Sequence, residues 1–222
     1  MEDCLSNEPL EQADPKFLIW KTVFLVALAS GRRRSEIHAL SFQGFSHSRN
    51  WSKVVLKLDP SFLAKNQLTS AGAGIFEEIA IPSLSKSLPQ NETQDLSLCP
   101  VRALRIYVSR TQDLRRNKSL LFVSYRPSFP GDISSQTISF WIKGLIHYCL
   151  QHCSAENAAL VRVKAHEVRA LASSWAFRGG VPLQDTWRNH TTFTSFYFRD
   201  LALSRLDGSY KLGDVVVAQH IV

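Results

Sequence analysis

The sequence predicts an α+β fold, mainly helical, with a small antiparallel sheet in its N-terminal third. Three observations predict it. Runs with helical spacing occupy most of the chain. Two short β-prone segments, Trp51 to Leu58 and Ile75 to Ile81, flank the loop NQLTSAGAG and read as paired strands. No repeat and no clear linker divides the 222 residues, which are enough for one sizeable core.

The elements follow in order. Asp14-Pro15 opens a first helix whose run FLIWKTVFLVALAS is interrupted by Lys21 and is too short for a membrane span, so it reads as a buried helix to about Ser30. Gly31 stops that helix, and Ser35 is expected to cap a short second one, SEIHAL. After the two strands, SLSKSLPQNETQDLS reads as an exposed polar segment. Cys99-Pro100 starts the helix VRALRIYVSRTQDL, in which Val101, Leu104, Val108 and the Ile106/Tyr107 pair are spaced for one buried stripe. SLLFVSY, from 119 to 125, reads as a third strand or an extended segment. Helical patterns return from Ser134 to about Cys153, from Ala165 to Ala176 before Gly179-Gly180, and around Thr192 to Leu203. The tail KLGDVVVAQHIV is apolar enough to need a docking surface.

Composition narrows the partners. An apolar content of 45% excludes wholesale disorder. Lys and Arg exceed Asp and Glu by 26 to 19, giving a net charge of +7, which suits a polyanion. Cys4, Cys99, Cys149 and Cys153 form no disulfide framework, and the acidic, polar start MEDCLSNEPLEQAD is unlike a signal peptide, so an intracellular, reducing setting is expected. In HYCLQHC, the residues His147, Cys149, His152 and Cys153 point in several directions on one helix and read as packing rather than as a zinc site.

The chemistry-bearing residues are spread along the chain. GRRRSEIHAL places Arg32, Arg33 and Arg34 in a turn between helices, where guanidinium forks match phosphate geometry. Lys65, in FLAKNQ, falls between the strands. In KAHEVRALASSWAFRGG, His166 and Arg169 share one helix face, with Lys164 just before them. Trp187 stands in TWRNH and Tyr197 in FTSFYFRDL. Taken singly, each has an ordinary reading as a solvated basic patch, a surface lysine or a core aromatic.

In this order they resemble the catalytic set of the tyrosine recombinase (integrase) family, most closely in RRSEIHAL, HEVRALASSWA and TFTSFYFRDL. CPVRAL, and GVPLQD followed by TWRNHTTFTSFY, are similar to the recombinases of DIRS-type retrotransposons and cryptons. The resemblance runs from residue 16 to 222 and implies the tyrosine-recombinase catalytic-domain fold there, after a polar segment over 1–15 and without the family's N-terminal core-binding domain. It implies DNA cleavage and rejoining through a 3′-phosphotyrosyl intermediate. Tyr197 would be the nucleophile, His166 its base, and Lys65 the acid for the leaving oxygen. Arg33 and Arg169 would neutralise the phosphate, and Trp187 would hydrogen-bond it through its indole N–H. Arg32, Arg34 and Lys164 would be flanking DNA contacts.

The resemblance further implies double-stranded DNA as partner, a tetramer on two duplexes when active, and nuclear residence. It implies no cofactor or metal, because the arginines supply the positive charge, and no membrane or small-molecule ligand. Tyr210 is the rival late tyrosine, but GSYKLG is turn-like. Between Gly180 and Trp187 the chain is shorter than the family pattern by a helical turn or more. That departure leaves an alternative, a catalytically impaired DNA-binding remnant.

Overall fold

Asp14 fixes the start of the first helix. Its Oδ1 accepts the backbone N–H of Lys16 at 2.8 Å and of Phe17 at 3.4 Å, two of the amides a helix start leaves unpaired. The helix, α1, runs Pro15–Ser30 and ends at Gly31, whose φ of 59° is left-handed and whose N–H returns to the Ala27 carbonyl. Every residue from Phe17 to Ala29 is buried, Lys21 and Thr22 included. A helix apolar on all sides has to be surrounded. The computed structural model describes residues 10–62, 78–84, 95–115, 118–126, 132–152 and 167–178, and within them α1 is the hub.

A five-residue helix, α2, follows at Arg34–His38. Its N-cap is Arg33, not Ser35, because the Glu36 carboxylate in the first turn reaches back to the Arg33 backbone N–H at 2.8 Å. The sheet is three-stranded and antiparallel in the order β1-β2-β3, with β1 at Ser46–His47, β2 at Lys53–Leu56 and β3 at Ile79–Pro82. Val54 pairs with Ile81 and Leu56 with Ile79, and all four side chains are buried, so one face of the hairpin sits on the core. Two sequence expectations shift here. Trp51 lies in the turn before β2 rather than in the strand, and the short β1 was not expected.

Helix α3 (Pro100–Arg110) buries Val101, Ala103, Leu104 and Tyr107 against α1, with Ile106 and Val108 half-buried at the margin of that stripe. The run from 119 to 125 is the extended segment and not a third strand of the sheet. It makes an isolated bridge, Ser41 to Leu120, and buries Leu121, Phe122 and Val123 in succession. The Val123 N–H goes to the Tyr107 hydroxyl at 2.9 Å where a strand would give it to a ladder partner. Helix α4 (Ser135–His152) and helix α5 (Glu167–Arg178) complete the packing around α1. The expected last helix and the apolar tail lie outside the described residues, and no described helix is long and apolar enough to cross a membrane.

Candidate functional site

The arginine turn is built by the stop of α1. Past Gly31 the chain leaves the helix, takes an extended conformation at Arg33 (φ −70°, ψ 154°) and enters α2. A Cβ placed on Gly31 would stand 3.9 Å from the Ala172 Cβ, so α5 passes directly over this turn. Residues some 130 positions apart in the chain therefore become neighbours.

Glu36 is what joins them. It is only 8% exposed, and its two oxygens serve three partners. Oε2 accepts the Arg33 N–H at 2.8 Å and lies 3.5 Å from Arg169 Nη1, while Oε1 lies 3.5 Å from Arg32 Nη1. The Arg169 side chain is 14% exposed, so its ion pair with Glu36 is largely shielded from solvent and more strongly felt than a surface pair. Arg169 thus has a fixed position across the turn rather than a solvated one.

The remaining members of the turn are held or presented differently. The Arg34 guanidinium donates to Gln136 Oε1 at 2.9 Å and to Ser139 Oγ at 3.2 Å, tying α2 to α4. His38 Nε2 donates to the Ile133 carbonyl at 2.7 Å and fixes the other end of α2. The Arg33 side chain is exposed. Among the described residues, four arginines and one carboxylate meet at this junction, an excess of positive charge that suits an anion.

Of the residues singled out from the sequence, Arg32, Arg33, Arg34 and Arg169 are described, and Glu36 brings Arg32, Arg33 and Arg169 together. Lys65, Lys164, His166, Trp187 and Tyr197 lie outside the described residues. Glu36 lies within GRRRSEIHAL, and the resemblance assigns it no role. The signal that could have found it is its spacing from Arg33, since an acid stands at the third helical position once Arg33 and not Ser35 is taken as the N-cap. In the HYCLQHC segment, Cys149 is fully buried while His147 and His152 are exposed, and no described group of three or more His, Cys, Asp or Glu is arranged to hold a metal.

No protein-family model matches the chain, and no curated protein matches it either. The residues and their geometry therefore carry the functional argument.

Proposed function

We propose that this protein cleaves and rejoins DNA strands by the tyrosine recombinase mechanism, with double-stranded DNA as its partner. The observation that supports the reading is the Glu36 carboxylate shared between the Arg33 backbone and the Arg169 guanidinium. The two arginines that the resemblance assigns to one phosphate come from distant parts of the sequence, and both are anchored on one side chain.

On this reading the DNA phosphate sits between Arg33 and Arg169, whose guanidinium groups offset the charge that grows on the non-bridging oxygens as a fifth ligand arrives. The Tyr197 hydroxyl attacks phosphorus and its proton passes to His166. The P–O5′ bond breaks, Lys65 protonates the leaving 5′-oxygen, and the strand is held as a 3′-phosphotyrosyl ester. Attack by a 5′-hydroxyl reverses the steps and restores the phenol. Trp187 donates its indole N–H to the phosphate. Arg32, Arg34 and Lys164 bind the flanking backbone, Arg34 through the Nε and Nη2 hydrogens that its Nη1 bonds to Gln136 and Ser139 leave over. Tetramer formation on two duplexes and nuclear residence belong to the same proposal.

The test is a denaturing-gel assay for a covalent protein–DNA adduct on nicked duplexes, with wild type beside Tyr197→Phe. An adduct in wild type that is absent from the variant is the expected result. Duplex binding that weakens steeply with salt but yields no adduct on any nicked substrate would reject catalysis and leave the DNA-binding remnant, the reading that the short Gly180 to Trp187 stretch favours. Absence of salt-sensitive binding would reject both.

A further inference from the structure

A second cluster stands apart from the arginine turn, at the tip of the β1–β2 hairpin. Trp51 holds a φ of 54°, left-handed backbone that a bulky side chain rarely adopts. Such strain persists where the surroundings enforce it and often marks a functional position. Here it sets the indole face to face with His47, ring centres 3.8 Å apart and planes 10° from parallel. Phe45 is 6.2 Å from each ring. The stack is turned outward. His47 is exposed and Trp51 only half-buried.

Positive charge surrounds these rings. Arg49 and Lys53 are exposed on the hairpin, and Arg105 reaches across from α3 to stand 5.6 Å from the Trp51 ring centre. Arg105 also lines a shallow groove of about 470 Å³ along α3. The other two arginines of that groove are engaged. Arg102 pairs with Glu11 at 2.8 Å, and Arg110 donates to the Ala13 carbonyl at 2.7 Å and the Leu10 carbonyl at 3.3 Å. Arg49, Lys53 and Arg105 form no ion pair with any described residue.

We infer that this hairpin and the adjoining face of α3 bind an unpaired stretch of nucleic acid, one base stacking on the exposed ring of His47 and the phosphates meeting Arg49, Lys53 and Arg105. An exposed ring on an aromatic stack, flanked by exposed cations, fits a single strand, because every unpaired base offers a flat face and every nucleotide a charge. In a duplex the base faces are hidden within the stack, so His47 and Trp51 have no base face to stack on. The assignment does not rest on the strand-cleavage proposal.

The experiment measures fluorescence anisotropy of labelled oligothymidylate with the full chain, across a salt series, for wild type, His47→Ala, His47→Phe, Arg105→Ala and Arg33→Ala. His47→Ala is expected to lower affinity about tenfold and His47→Phe, which keeps a ring, to restore most of it. Arg105→Ala is expected to weaken binding and to flatten the salt dependence by roughly one phosphate contact. Thermal melts of the same variants show which losses are losses of folding, and His47→Phe retains a stacking ring in the hairpin. Wild-type affinity in both His47→Ala and Arg105→Ala would overturn the inference, as would His47→Phe binding as poorly as His47→Ala. A fall with Arg33→Ala as large as with His47→Ala would move the single strand to the arginine turn and overturn it too. None of these outcomes depends on whether an adduct forms.

Discussion

Tyr107 shows how much one residue holds. Its ring is 1% exposed, its hydroxyl accepts the Val123 N–H at 2.9 Å, and the Arg115 guanidinium lies 5.1 Å from the ring centre. Arg115 is itself buried, donates to the Leu121 carbonyl at 2.7 Å and sits 4.5 Å over Phe42. Burial raises the Tyr107 phenol above its ordinary range, and the nearby Arg115 charge only partly opposes this. The native state therefore keeps a proton that the unfolded chain loses near pH ~10. The stability this contributes is complete below that pH and is lost as pH rises through the native value. Tyr107→Phe keeps the ring and leaves the Val123 N–H without its acceptor, at a cost of about 1–3 kcal/mol at neutral pH. The expected outcome is a lower urea midpoint at pH 7 and a shallower loss of stability above pH 10. An alkaline profile as steep as that of wild type would refute the assignment to Tyr107. The spacing of α3 marked Tyr107 as buried, but nothing in the sequence paired its hydroxyl with a backbone amide 16 residues on.

At the scale of elements, contact between α1 and α4 turns on Gly144. A Cβ there would meet three ring atoms of Trp20 at 2.7 to 2.8 Å, and Trp20 is only 8% exposed. Gly144→Ala gains up to about 1 kcal/mol in helix propensity but must displace a packed indole, which costs about 1–3 kcal/mol. Net destabilisation is expected in thermal melts, with partial recovery when Trp20→Phe is added. Additive effects in that double-mutant cycle would show that the two residues do not press on each other. The caps of α1 were readable because Asp14, Pro15 and Gly31 act through their own backbone and near neighbours. The N-cap of α2 lies two residues before Ser35, because a carboxylate from inside the helix does the capping that the sequence assigns to Ser35. The 119–125 run kept its extended form yet did not join the sheet, since pairing depends on which edge is within reach.

For the whole molecule, α1 is the common wall of the core, and among the described elements the sheet and all four other α-helices pack on it. Leu25 is fully buried at its centre. Leu25→Ala is expected to cost about 2–5 kcal/mol and to shift far-ultraviolet circular dichroism and tryptophan fluorescence together. Transitions that separate would mean the helices and the sheet do not share this core. Much of that architecture was legible from the sequence. Apolar periodicity, glycine and proline stops and β-branched runs act over a few residues, so the chain alone determined an α+β fold, a wholly buried first helix and a basic character suited to polyanions. It also supplied the order of residues that resembles a recombinase. Which side chains meet was decided by the tertiary structure. Glu36 binds Arg169 because α5 crosses the Gly31 turn, and His47 faces Trp51 because the hairpin turn forces a left-handed residue. Both contacts join atoms that local pattern leaves unrelated, and only the burial of α1 on all sides brings the first of them together.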